Sequence, residues 1–122
     1  MRFNNDKPIF IQISDYLTKE IIAGRMVPDQ RIPSARELAV TLEVNPNTAV
    51  KALQSLADDG IARSERGTGY FVDPQGPQRA KEALRKVFFD LELPAIFQTM
   101  SQLGIQWEEI HNLYEESHRE NQ

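Results

Sequence analysis

The first sustained alternation of apolar and polar positions runs from Pro8 to Gly24, where Ile9, Ile13, Tyr16, Leu17 and Ile21 recur at helical spacing. Pro8 suits a first helical turn and Gly24 a C-terminal cap, so the pattern predicts a helix over about 8–23. After a loop holding Pro28 and Pro33, Ser34-Ala-Arg-Glu37 has the form of a capping box, in which the serine hydroxyl and glutamate side chain satisfy unpaired backbone amides. It opens a short helix that ends near Leu42 and buries Leu38, Ala39 and Leu42. Asn45-Pro46-Asn47-Thr48, about three residues further on, is an N-cap followed by a first-turn proline, and the helix it starts runs to Asp59 and stops at Gly60. Two short helices joined this tightly, with Val44 apolar in the turn, predict a helix-turn-helix. Ile61–Glu65 and Tyr70–Val72 read as two strands around Arg66-Gly67-Thr68-Gly69, a hairpin placed as a wing.

Asp73-Pro-Gln-Gly-Pro77 suits neither strand nor helix and reads as a linker. Beyond it, Leu84, Val87, Phe88 and Leu91 fall on one face of a helix over about 78–92. Pro94 is expected to end that helix and begin another, which Gly104 stops, and a last helix over about 107–119 carries Ile110, Leu113 and Tyr114. The expected fold is mainly α with a small β-hairpin wing. It comprises a winged helix-turn-helix domain over 1–72, a linker over 73–77 and a short helical tail over 78–122. No internal repeat or low-complexity tract is present.

At 100° per residue, Ala49, Ala52, Leu53 and Leu56 define the buried side of the second helix of the motif. The opposite side holds Asn47, Lys51 and Gln54, with Val50 at its edge and Asp58 far along. Amides and a cation near a helix N-terminus are suited to reading base edges and phosphates in the major groove of double-stranded DNA. Arg36 lies in the first turn of the preceding helix, where a guanidinium and free backbone amides can hold a phosphate together. Arg66 stands at the hairpin tip, with Arg63 on the flanking strand.

The formal charge of −4 argues against nucleic acid only until it is divided along the chain. Residues 1–72 hold nine Lys/Arg and nine Asp/Glu, whereas 73–122 hold five and nine, so the acidity belongs to the tail. The 40% hydrophobic and 26% charged residues match a globular chain. No apolar run reaches the roughly 18 residues of a membrane span and no signal-peptide core precedes Pro8, so a cytoplasmic protein is expected. The chain has no cysteine, which excludes disulfides and thiolate metal sites. His111 and His118, with Glu115 between them, can share one helical face, but a solvated helix end explains them more simply than a metal. No phosphate loop or nucleophile-base spacing suggests an enzyme, and no cofactor is implied.

These residues together resemble the GntR family of winged helix-turn-helix regulators. The resemblance is carried by Pro8-Ile9-Phe10 with Gln12-Ile13, Ile22 and Gly24, then by Pro33-Ser34-Ala35-Arg36-Glu37-Leu38-Ala39, Leu42 and Val44. It continues through Asn45-Pro46-Asn47-Thr48, Lys51-Ala52, Leu56, Gly60 and Arg66 to Val72. The Asn-Pro-Asn-Thr start and the tail of about fifty residues are similar to the YtrA-like subgroup, whose members have a helical dimerisation tail in place of a ligand-binding domain. The resemblance implies a transcription regulator that contacts its operator through Ser34, Arg36, Asn45, Pro46, Asn47, Thr48, Lys51, Arg66, Gly67, Thr68 and Gly69. It departs from the family at Asp29, where glycine is common, at Ala49, where a larger aliphatic is common, and at Pro46, where many relatives carry arginine.

Three short tail helices cannot bury their own apolar residues efficiently, so two tails are expected to pair through Leu84, Val87, Phe88, Leu91, Phe97, Met100, Trp107, Ile110 and Tyr114. A homodimer acting as a repressor on a two-fold symmetric operator follows. The alternative is a winged helix used for protein-protein assembly without DNA. No effector can be read from the chain.

Overall fold

The computed structural model describes residues 1–120. The elements in order are α1 (Ile9–Ile22), α2 (Ala35–Leu42), α3 (Pro46–Asp58), β1 (Ala62–Glu65), β2 (Gly69–Val72), α4 (Gly76–Val87), a π-helical turn (Phe88–Glu92), α5 (Leu93–Leu103) and α6 (Trp107–Glu120). The chain forms two compact units, the first over Met1–Leu84 and the second from Arg85 onward.

Within the first unit, α1 and α2 both pack on α3. Ile13, Leu17, Ile21, Ile32, Leu53, Leu56 and Val72 are fully buried between them and the hairpin. The buried face of α1 is Ile13, Ser14, Leu17, Thr18 and Ile21. Two residues expected on that face, Ile9 and Tyr16, instead lie at its rim, 43% and 41% exposed. Ser14 and Thr18 are buried in their place; the Thr18 hydroxyl donates to the Ser14 carbonyl at 2.7 Å, and among the described residues no fully buried side-chain N or O atom lacks a partner. Gly24, at φ +80°, ends α1 with the paired bonds of a Schellman motif: its N–H reaches the Ile21 carbonyl and the Arg25 N–H reaches that of Glu20.

The turn between α2 and α3 is Glu43, left-handed at φ +56°, followed by Val44 packed against the core. Strands β1 and β2 pair antiparallel from Ala62↔Val72 to Glu65↔Gly69. A third extended segment, absent from the sequence-based expectation, joins them. The Asp29 N–H reaches the Val72 carbonyl at 2.8 Å, the Val72 N–H that of Gln30 at 2.9 Å, and the Ile32 N–H that of Tyr70 at 2.8 Å, so β2 is flanked on both sides. Asp29 itself sits at φ +68°, the conformation for which glycine is the usual residue. Its carboxylate is held 2.8 Å from the Arg63 guanidinium.

Residues 73–77, expected as a linker, lead directly into α4, which starts at Gly76 with Pro77 in its first turn. Gly76 is buried, and a Cβ there would collide with the Ile61 carbonyl oxygen. One turn on, Ala80 is fully buried in the core of the first unit.

Pro94 does not end the preceding helix. Helical dihedrals run through Val87, Glu92 and Leu93, and the Leu93 N–H bonds to the Phe88 carbonyl five residues back. A proline ring clashes with the carbonyl four residues before it and offers no N–H, so widening the preceding turn to π geometry lets the helix continue. Gly104, at φ +67°, ends α5 as expected. From Arg85 on, none of the described residues is buried within the single chain.

Candidate nucleic-acid interface

Three elements of the first unit carry the residues predicted to meet DNA. At the head of α2 the Ser34 hydroxyl accepts the Glu37 N–H at 3.1 Å and the Glu37 carboxylate accepts the Ser34 N–H at 3.4 Å, completing the capping box. Arg36 is exposed in the same turn. At the head of α3 the Asn45 side-chain oxygen accepts the Asn47 N–H at 2.8 Å, which fixes Asn45 as N-cap ahead of Pro46 and leaves its NH₂ group unused. Ala49, Ala52, Leu53 and Leu56 form the buried side as expected, and Asn47, Val50 and Lys51 are exposed opposite them. Ala49, small for its position in the family, is fully buried.

At the wing tip, the Thr68 N–H reaches the Glu65 carbonyl at 3.0 Å and the Thr68 hydroxyl bonds the same oxygen at 3.1 Å. Gly67 and Gly69 take φ +80° and +123°. The turn thus needs these glycines for backbone shape, and Arg66 projects exposed beside them.

Two residues proposed for the DNA-facing surface are occupied elsewhere. The Gln54 NH₂ group donates to Asp58 at 2.9 Å and its oxygen accepts the Tyr70 hydroxyl at 3.3 Å, so Gln54 braces α3 against the wing. Arg63 contacts Asp29 at 2.8 Å and Glu65 at 3.3 Å, donates to the Val72 carbonyl at 3.3 Å and lies over the Phe71 ring at 5.5 Å. Arg31, which the sequence did not single out, bonds both the Thr68 carbonyl and the Glu37 carboxylate at 3.2 Å. Nothing local marks Arg31, because its partners lie six and 37 residues away.

The cations of the first unit divide into those paired within the chain, Lys7 among them, and those that are not, which outside α2, α3 and the hairpin include Arg2, Lys19 and Lys81. Arg25, Arg31, Arg63 and Arg79 are each paired with a carboxylate of the chain. Arg36, Lys51 and Arg66 are exposed and share no ion pair or side-chain hydrogen bond with another described residue. The Arg31 guanidinium, followed by the Ser34 hydroxyl and amide, holds the Glu37 carboxyl below its ordinary range, so Glu37 stays ionised and neutralises Arg31. One unpaired cation stands at the head of α2, one on the exposed face of α3 and one at the wing tip. Such cations can neutralise phosphates, and an exposed asparagine amide such as that of Asn47 is suited to hydrogen-bonding with base edges. His111 lies 4.0 Å from Glu115 and 5.7 Å from the Trp107 ring, and no metal-binding cluster occurs among the described residues.

A helical core, a tight helix-turn-helix and a β-hairpin behind it define the class of winged helix-turn-helix regulators. Residues 11–72 match the family model of bacterial regulatory proteins, gntR family, and the chain belongs to that family. It is 28% identical to the HTH-type transcriptional repressor YtrA of Bacillus subtilis (strain 168), over 89% of this chain and 83% of that one. A GntR family transcriptional regulator from Listeria monocytogenes superposes with a TM-score of 0.77 at 31% identity, covering 93% of this chain and 98% of the other. The DNA-binding domain of AraR in complex with operator ORR3 matches with a TM-score of 0.54 at 30% identity, covering 59% and 87%.

Proposed function

We propose that this regulator represses transcription as a homodimer that occupies a two-fold symmetric operator, with α3 in the major groove and the hairpin wing beside it. The observation that carries the reading is that α2, α3 and the hairpin each present one exposed cation with no ion pair among the described residues, Arg36, Lys51 and Arg66, whereas Arg63 on the hairpin is paired. Ser34, Asn45, Pro46, Asn47 and Thr48 set the two helix starts against the phosphates, and Gly67, Thr68 and Gly69 shape the wing. Structures of related domains with operator DNA support the mode of binding.

Dimerisation is supported by the second unit, which buries none of its described residues alone although Phe88, Leu91, Phe97, Trp107 and Tyr114 stand 39–68% exposed. Leu84, Val87, Met100 and Ile110 complete the proposed face. Light scattering should give a dimer at micromolar concentration, and Phe97→Asp should shift it to monomer. No described helix is long and apolar enough to cross a membrane, and a cytoplasmic site follows from the need to reach DNA.

The test is fluorescence anisotropy on a duplex from the upstream region of the protein's own gene, beside a scrambled duplex, with wild type and Arg36→Ala. Preference of about 10³-fold for the upstream duplex, lost in the variant, is expected. No binding to either duplex at low salt would refute the reading and favour a protein-assembly module.

A further inference from the structure

We infer that Arg31 is the positioning residue of the wing, a clamp that ties the hairpin tip to the head of α2 so that Arg66 is held where it meets DNA. This rests on the proposed operator-binding function. The hairpin is two four-residue strands, and a ribbon that short is marginal by itself, so its orientation depends on what braces it. The backbone of Arg31 pairs with Phe71 beside the hairpin, which fixes the point from which its side chain starts. From there Nε donates to the carbonyl of Thr68, in the turn next to Arg66, and Nη1 donates to Glu37, the residue that closes the α2 capping box. The guanidinium lies so close to the hairpin backbone that a Cβ on Gly69 would come within 3.4 Å of Nε. Gly69 thus serves the clamp as well as the turn. A planar fork can engage two acceptors in fixed directions at once, whereas a lysine ammonium cannot reproduce both. Two residues beyond Thr68, the Tyr70 hydroxyl on Gln54 braces the hairpin against α3. Arg31 is the corresponding brace to α2, and it holds the turn itself.

The clamp is distinguishable from a phosphate contact or a stability role by a double-mutant cycle. Kd would be measured by anisotropy on a duplex recovered from a random-sequence pool by the wild-type protein, for Arg66→Ala, Arg31→Met, Arg31→Lys and the two Arg66 combinations. Arg31 is exposed, so the Arg31 variants are expected to remain fully folded at the assay temperature, with any fall in melting temperature no larger than that of Glu37→Gln. Arg66→Ala should weaken wild type about tenfold or more, and should change the Arg31→Met protein by less than threefold. Arg31→Lys, which keeps the charge and loses the fork, should behave like Arg31→Met. Should Arg31→Met fail to fold, Glu37→Gln, which weakens only the α2 half of the clamp, should reduce the Arg66 effect in the same direction. Penalties that multiply, or full rescue by Arg31→Lys, would overturn the clamp and make Arg31 an independent contact. An Arg66→Ala protein that binds like wild type would refute the wing's role in binding itself, and the clamp with it.

Discussion

Replacing Arg36, Lys51 or Arg66 by alanine should change the salt dependence of DNA binding in a way that replacing Arg25 does not. Each protomer presents these three unpaired cations, and a dimer presents both sets. Each phosphate neutralised contributes about 0.9 to the slope of log K against log salt, so the six together give a slope near −5.4. Between 50 and 200 mM salt the wild-type affinity should therefore fall by about 2 × 10³-fold. One alanine substitution removes two contacts from the dimer, which flattens the slope to about −3.6 and reduces the fall to about 150-fold. Arg25 is the control: its Nε sits 2.8 Å from a Glu20 oxygen, so its charge is already neutralised and the slope should stay within about 0.5 of wild type. Anisotropy titrations at five salt concentrations resolve these differences. An Arg36→Ala slope equal to wild type, or an Arg25→Ala slope as flat as that of Lys51→Ala, would refute the assignment of DNA contacts by internal pairing.

Gly76→Ala should destabilise the first unit by about 2–3 kcal/mol, because the new methyl meets a backbone carbonyl that cannot rotate away; a urea midpoint equivalent to less than 0.5 kcal/mol would contradict this. Glu37 ionises at lower pH folded than unfolded, so its contribution is complete above the ordinary carboxylate range and disappears as pH falls through the depressed folded value. The difference in melting temperature between wild type and Glu37→Gln should accordingly be present at pH 7 and vanish in strong acid. At position 29, Asp29→Ala loses the Arg63 ion pair and keeps the left-handed backbone, whereas Asp29→Gly loses the pair and relieves the backbone, so urea midpoints should place alanine below glycine.

The starts of α2 and α3 were legible because their signals lie within four residues of one another, whereas the start of α4 at Gly76 fell in the expected linker. Ser34 finds Glu37 and Asn45 finds Asn47 without help from the rest of the fold. The hairpin and the buried face of α3 follow from turn chemistry and periodicity for the same reason. The third segment of the sheet was not legible, since Gln30 and Val72 meet across most of the domain and neither residue type announces the pairing. Ser14 and Thr18 were missed because hydropathy marks them as surface residues, while a local hydroxyl-to-carbonyl bond suits Thr18 to the interior. At the interface, the sequence identified the residues that remain free, Arg36, Lys51 and Arg66. It could not separate them from Arg63 and Gln54, whose partners are brought in by tertiary structure.

The widened turn at Phe88–Glu92 also constrains which changes the tail can accept together. A π turn holds one residue more than an α-helix needs for the same advance, so deleting one residue there would restore α geometry and keep the flanking helices in phase. The same deletion would return the Pro94 ring to the carbonyl of the preceding turn, at about 3 kcal/mol. Insertion and proline are therefore a matched pair. Lineages that lose one should be found to have lost the other, and a variant combining the deletion with Pro94→Ala should be better tolerated than the deletion alone.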